Sequence, residues 1–200
     1  MDTLSWVVLG FISGSIPFSV LMGKLFAKRD IRAVGDGNPG GTNALKAGGL
    51  KAGVPAILLD IAKGFVPVYF ARGFGVAGWD LVPVAIAPVL GHAFSPFLKF
   101  HGGKALAATG GVWLALIGPL ALFVYAALAV PFTLLQEENA VSANAGMLAL
   151  LGYAALSDAH WLLAFAGLNC LLIAWTHRHD LFHALQFRPW VGNIFSGRGA

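Results

Sequence analysis

The sequence predicts an all-α, polytopic integral membrane protein with about seven transmembrane helices. Hydrophobic residues make up 58% of the 200-residue chain and charged residues only 11%, whereas soluble domains contain about 45–50% and about 25%. The chain also contains repeated apolar runs that approach or reach the length needed to cross a hydrocarbon core of about 30 Å. The 15 Phe and 6 Trp exclude a disordered chain, and the single Cys170 excludes a disulfide scaffold.

Seven apolar runs define the predicted helices. In chain order they cover 4–26, 53–71, 76–97, 105–118, 119–135, 141–156 and 160–176. Only Gly118 and Pro119 separate the fourth run from the fifth, so five or six crossings stay open as alternatives. Prolines in or beside the runs predict kinked helices that neighbouring helices shield. Gly10 and Gly14 have the spacing that lets two helices approach closely, and we expect them to serve ordinary packing.

Loop charges orient these helices, because cytoplasmic loops carry an excess of Lys and Arg. With the N-terminus outside, only Arg72 falls on the outer side and Lys63 lies within the second run. The other basic residues fall on the cytoplasmic side, namely Lys24, Lys28, Arg29, Arg32, Lys46, Lys51, Lys99, Lys104, Arg178, Arg188 and Arg198. This split favours seven crossings and a cytoplasmic C-terminus. We expect one membrane domain over 1–200, ending in a cytoplasmic tail over 177–200, and contact with anionic lipids rather than nucleic acid.

Four polar segments stand out, and this topology brings all of them to the cytoplasmic face. They are 35–46, 99–104, 136–144 and 177–180. The first lies in a long predicted loop between the first two runs, where four glycines can turn backbone N–H groups inward as an anion nest. Lys46 follows where a helix would start, so amides, a helix N-terminus and a cation can converge on a phosphate. A flexible connector is the alternative interpretation.

The second segment contains Gly102, Gly103 and Lys104, a glycine turn that ends in a cation. We expect Lys104 in the first turn of the fourth helix, where the helix dipole disfavours a positive charge unless an anionic ligand is bound. The pattern therefore favours a second phosphate contact.

Ionisable residues near or inside the runs are further candidates. Asp60 and Lys63 share a helix face within the second run, and either mutual pairing or support of a site accounts for them. In the segment 177–180, His177 lies closest to the apolar run and is the best candidate for proton transfer or phosphate contact. For His92 we favour a structural role. The six His lack the partners that a metal site would show, so no metal is expected.

Missing motifs bear on the mechanism. The chain contains neither a GxSxG nucleophile elbow nor an HxxxxD acyltransferase motif. Cys170 lies within a span, where burial makes a thiol a poor nucleophile. We therefore do not expect a covalent acyl-enzyme.

Several motifs in a common order resemble one family. GDGNPGGTNALKAGGLKAG (35–53), LLDIAKG (58–64), GHAFSPFLKFHGGKALAAT (91–109), Ser142 and HRHD (177–180) are similar to the bacterial PlsY-type acyl-phosphate:glycerol-3-phosphate acyltransferases. The similarity covers nearly the whole chain. It implies transfer of a fatty acyl group from acyl-phosphate to the 1-hydroxyl of glycerol 3-phosphate, giving lysophosphatidic acid. It also implies a site on the cytoplasmic face of a bacterial inner membrane, membrane lipids as surroundings, and no cofactor.

The resemblance assigns roles residue by residue. The catalytic positions are His177, Asn43, Ser142 and Lys104. The phosphate-binding positions are Gly37, Asn38, Gly40, Thr42, Lys46, Gly102, Gly103 and Lys104. Asp60, Lys63, Asp36 and Asp180 are supporting positions.

The sequence departs from the family at four positions. The family usually has Ser, Arg and Asn where this chain has Asp36, Lys46 and Asp180, and Ser where it has Asn144. An anion at position 36 repels a phosphate unless it pairs with a neighbouring cation or caps a helix. These departures keep a second hypothesis open, a divergent paralogue with another acceptor or no activity. A small transporter or non-catalytic lipid-binding protein is the third.

Overall fold

The computed structural model describes residues 2–181 and 186–191. Within them the chain forms α-helices and no β-strand, apart from one isolated antiparallel bridge between Gln136 and Phe187. This confirms the all-α prediction. The α-helices are α1 (Thr3–Ser15), α2 (Phe18–Met22), α3 (Gly41–Gly73), α4 (Leu81–Ala93), α5 (Leu106–Ile117), α6 (Leu120–Leu135), α7 (Asn139–Ala155), α8 (His160–Thr176) and α9 (Arg178–Leu181). Arg198 and most of the predicted tail beyond 181 lie outside the described residues.

The predicted runs correspond closely to these helices, but not all helices have the length of a span. Among the described residues, three helical stretches are long and apolar enough to cross a membrane by length and composition: Thr3–Ala27, Gly41–Gly73 and Gly78–Leu98. Helix α5 has 12 residues and is therefore about 18 Å long. Large apolar side chains such as Phe123 and Leu171 are more than 70% exposed. An exposed apolar surface of this kind is suited to lipid rather than water.

The connection between the first two runs is not the long loop that the sequence predicts. Helix α3 already begins at Gly41, so the second half of the polar segment 35–46 is helical. The helix is interrupted at Gly48 and Gly49, and Gly49 has φ of +62°, a left-handed conformation that favours glycine. The break separates a short, partly exposed amino-terminal portion from the apolar portion that follows.

Glycines allow the long helices to pack at close range, as expected for Gly10 and Gly14. Both lie against Pro88 of α4, and Gly91 of α4 lies against Phe11 in return. Helices α3 and α5 also pack closely through glycines. A side chain at Gly64 or at Gly111 would overlap a backbone carbonyl of the other helix.

The α3–α5 contact provides a matched test of this packing. Gly111→Ala will lower the free energy of unfolding by about 1–3 kcal/mol, because the added methyl group overlaps the Ile61 carbonyl oxygen. Gly110→Ala will be neutral or slightly stabilising, since no atom of the described residues lies within 4 Å of a Cβ added there. Denaturant titration of the purified protein in detergent measures both, and equal effects would contradict close α3–α5 packing.

Candidate active site

Two carboxylates hold the Lys104 ammonium group between them. Lys104 Nζ lies 2.6 Å from Asp36 Oδ2 and 2.7 Å from Asp180 Oδ2. Asp36 comes from the connection before α3, Lys104 from the segment before α5, and Asp180 from α9. Three of the four polar segments therefore meet at one ammonium group, although the chain separates Asp36 from Lys104 by 68 positions.

The charges within this cluster stabilise each other. Partial burial by itself would raise the pKa of Asp36, but hydrogen bonds from Lys104, Asn43 and Asn38 lower it to about 2. Burial would lower the pKa of Lys104, and the two carboxylates instead raise it above its usual value. Lys104 is therefore held as an ammonium ion between two carboxyl groups.

Asn38 and Asn43 tie the glycine-rich segment to this cluster. Buried Asn43 donates from Nδ2 to Asp36 Oδ1 at 2.8 Å and to the Asn38 carbonyl oxygen at 2.9 Å. Asn38 Oδ1 accepts the Lys104 backbone N–H at 3.1 Å. Asn43 Oδ1 is buried without a hydrogen-bond partner among the described residues, so one polar atom at this position is unsatisfied.

The loop amides do not form the open nest that the glycines suggest. The N–H groups of Gly37, Asn38 and Gly40 donate to Val34 O, Asp36 Oδ1 and Asn38 O. These amides are therefore engaged within the loop. Gly37 has φ of +73°, so its contribution is the turn itself.

The amino terminus of α3 offers a different group of donors. Gly40 occupies the N-cap position, and no side chain in the described part of the chain caps the helix. The first turn of a helix has backbone N–H groups without helical partners, and they favour an anion. Thr42 is exposed in this turn, and Lys46 follows one turn later. Lys46 Nζ reaches back over the preceding loop, because a Cβ added at Gly35 would lie 3.1 Å from it.

The Gly102–Lys104 segment lies directly beneath the carboxyl end of α4. The N–H groups of Gly102 and Gly103 donate to Ala93 O and His92 O, each at 3.1 Å. A side chain at either glycine would overlap these neighbours. Helix α5 begins only at Leu106, so the placement of Lys104 in its first turn is wrong. Only the N-cap residue Ala105 separates Lys104 from the helix, and the contacts with Asp36 and Asp180 compensate the positive charge there without a ligand.

His177 follows the last residue of α8 and lies beside the charged cluster. Its Nδ1 is 2.9 Å from the Ile173 carbonyl oxygen. The neutral ring therefore carries its proton on Nδ1 and keeps a lone pair on Nε2. Burial lowers the pKa of His177 below its usual value, although the hydrogen bond to Ile173 acts in the opposite direction. Thr176 Oγ1 donates to the Lys104 carbonyl oxygen at 3.1 Å and fixes this end of α8 to the Lys104 segment.

Ser142, in the first turns of α7, is held by a residue that sequence reasoning missed. Gln136 is 2% exposed, and its Nε2 donates to Ser142 Oγ at 2.8 Å and to Glu138 O at 2.8 Å. Ser142 Oγ accepts this bond, which leaves its own O–H available as a donor. Asn144, a departure from the family, donates to Ala140 O within its own helix instead.

Asp60 and Lys63 form a buried ion pair away from the Lys104 cluster. Lys63 Nζ lies 2.8 Å from Asp60 Oδ1, and each side chain is 2% exposed. Ser19 Oγ donates to Asp60 Oδ2 at 2.5 Å, and Lys63 Nζ donates to Ile16 O at 2.9 Å. The pair therefore fastens α3 to the break between α1 and α2. His92 Nδ1 lies 4.0 Å from Asp60 Oδ1, which places the imidazole between this pair and the Gly102–Lys104 segment.

Comparisons with known proteins match nearly the whole chain. The sequence model of the family described as "Glycerol-3-phosphate acyltransferase" matches residues 4–186. Proteins of that name from Thermus thermophilus and Maridesulfovibrio salexigens are 39% and 36% identical, over 90% and 88% of this chain and 91% and 90% of theirs. A third relative of that name, from Pseudomonas paraeruginosa, is 36% identical over 87% of this chain and 91% of its own length.

Solved structures agree with the sequence comparison. A crystal structure of PlsY, an integral membrane glycerol 3-phosphate acyltransferase in its glycerol 3-phosphate form, superposes with a TM-score of 0.81 at 28% identity, covering 99% of this chain and 94% of that one. The lysophosphatidic acid form of PlsY gives a TM-score of 0.80. On this evidence the chain belongs to the glycerol-3-phosphate acyltransferase family of integral membrane enzymes.

Proposed function

We propose that this chain transfers a fatty acyl group from acyl-phosphate to the 1-hydroxyl of glycerol 3-phosphate, giving lysophosphatidic acid and inorganic phosphate. The observation that carries the proposal is the convergence of three separate polar segments on Lys104, beside the uncapped amino terminus of α3 and buried His177. Both substrates carry phosphate, and cations and helix amino termini bind phosphate.

The chemistry needs no nucleophile from the protein. The acceptor oxygen attacks the acyl carbonyl carbon, the bond from that carbon to the phosphate oxygen breaks, and phosphate leaves with the electron pair. Because acyl-phosphate is a mixed anhydride with a good leaving group, the protein need only orient the substrates and stabilise developing charge.

The site residues divide between these two tasks. Lys104, Lys46 and the first-turn amides of α3 are assigned to the phosphates. His177, with Asn43 and Ser142, is assigned to orienting the acceptor hydroxyl or taking its proton. His177 Nε2 is suited to this because Nδ1 is directed at Ile173 O. The acceptor's own phosphate is the alternative base. Gly102 and Gly103 contribute by leaving room for the backbone contacts that place Lys104.

The same proposal includes a topology. Seven crossings of one domain, with the N-terminus outside, place the site on the cytoplasmic face of a bacterial inner membrane. The distribution of Lys and Arg supports this orientation. The side chain of Arg72, the one basic residue assigned to the outer side, donates to the Ala115 and Leu116 carbonyl oxygens at the carboxyl end of short α5.

A different phosphate-bearing acceptor is the second candidate. The observation that favours it is specific to this chain: Asp36 and Asp180, two departures from the family, both contact Lys104. Carboxylates at these positions change the groups that an acceptor meets.

An assay with purified protein tests both candidates. Given acyl-phosphate and glycerol 3-phosphate, the protein will release inorganic phosphate and form lysophosphatidic acid in equal amounts. His177→Asn serves as the matched control and will release neither. Phosphate release with another polyol phosphate alone would favour the second candidate. Uptake into vesicles without turnover would favour a transporter instead.

A further inference from the structure

The two carboxylates on Lys104 occupy the position that a substrate phosphate needs. An ammonium group has three N–H donors, and Asp36 Oδ2 and Asp180 Oδ2 take two of them at 2.6 and 2.7 Å. A phosphate that binds Lys104 must displace at least one carboxylate or share the ammonium group with both.

The formal charges do not favour the phosphate either. Asp36, Lys104 and Asp180 together carry a net charge of minus one, and Lys46, whose Nζ approaches Gly35 next to Asp36, brings the sum to zero. The two lysines are therefore matched by two carboxylates, and a phosphate dianion meets no excess of positive charge from these four side chains.

Asp36 also stabilises the glycine-rich loop, and it does so through its other carboxylate oxygen. Its Oδ1 accepts from Asn43 Nδ2 and from the Asn38 backbone N–H, whereas only Oδ2 binds Lys104. An asparagine at this position keeps an oxygen for the two loop contacts and loses the charge. Asp36→Asn therefore removes the competition while preserving the loop.

We propose that Asp36 and Asp180 compete with the substrate phosphate for Lys104, and so determine how tightly this enzyme binds its phosphate-bearing acceptor. This inference rests on the proposed function, because it takes Lys104 as a phosphate ligand. It gives Asp36 and Asp180, two departures from the family, one joint role in setting the affinity for the acceptor.

Kinetics of the double variant Asp36→Asn/Asp180→Asn test the proposal. Two partly exposed ion pairs are lost, so the KM for glycerol 3-phosphate will fall by roughly tenfold. Asp30→Asn is the matched control: Asp30 pairs with Arg32 at 2.6 Å and has no contact with Lys104. It will leave KM unchanged. A double variant with an unchanged or higher KM would overturn the proposal.

A binding measurement separates this proposal from the proposed function. Lys104 is acetylated with a water-soluble reagent, and mass spectrometry follows its protection by added glycerol 3-phosphate. Half-protection will need about tenfold less glycerol 3-phosphate in the double variant than in the natural protein. If half-protection needs the same concentration in both, the carboxylates do not compete, whatever the turnover assay shows. If no form turns over but the protection shifts as expected, only the proposed reaction is wrong.

Discussion

Replacing Lys63 with methionine will lower the free energy of unfolding by about 3–5 kcal/mol, because it leaves the Asp60 carboxylate buried without its charge partner. Each of these side chains is 2% exposed, and the ammonium and carboxylate groups lie 2.8 Å apart. Lys63 Nζ also donates to Ile16 O, at the break between α1 and α2. Denaturant titration in detergent measures the loss.

Two further variants show that the charge partner, and not the side chain as such, carries the effect. Lys51→Met on the same helix is the control: Lys51 is exposed, so its loss will change stability by less than about 0.5 kcal/mol. Adding Asp60→Asn to Lys63→Met will recover part of the stability, because the amide oxygen can still accept from Ser19 without a charge to solvate. No recovery in this double variant would contradict the ion-pair explanation.

The sequence left two interpretations of Asp60 and Lys63 open, mutual pairing and support of a site. Mutual pairing is what the structure contains. The pair also has an indirect connection to the Lys104 segment, since the His92 ring lies between Asp60 and the backbone of Gly103. We therefore regard Asp60 and Lys63 as structural residues that support the position of this segment.

Hydropathy predicted the apolar helices but not the polar amino-terminal portion of α3. The run predicted at 160–176 coincides with α8, and the run at 119–135 with α6. Hydropathy placed the start of the second run at 53, because residues 41–52 are polar and glycine-rich; Ala44 in this portion packs against Val20 of α2, and that contact stabilises it instead. Tertiary contacts of that kind leave no apolar periodicity in the sequence.

The candidate site was predictable in its members and not in their contacts. Polarity and glycine content identified the segments of Asp36, Lys104 and Asp180, but no local pattern indicates that both carboxylates meet one lysine. Gln136 begins the polar segment 136–144, but its residue type alone assigned it no role. Its contact with Ser142 depends on how the chain turns between α6 and α7, which the residue types alone do not determine.

Replacing Lys104 with methionine will lower kcat/KM by about 10²–10³-fold, the loss typical of removing one positioned donor at a site of developing charge. The effect of removing the ammonium group is larger here than at a site without neighbouring carboxylates. Without the ammonium group, the Asp36 and Asp180 carboxylates face the incoming phosphates with no cation between them. Initial rates of lysophosphatidic acid formation measure the effect.

Stability measurements separate this catalytic loss from misfolding. The Lys104 side chain is 28% exposed and its two ion pairs are partly solvated, so Lys104→Met will cost no more than about 1 kcal/mol of stability. Lys24→Met removes an exposed cation from the segment after α2 and will retain full activity. Adding Asp36→Asn and Asp180→Asn to Lys104→Met will restore part of the lost rate if repulsion by the carboxylates contributes to it. Full activity of Lys104→Met would remove Lys104 from the site and would leave its two carboxylate contacts with a purely structural role.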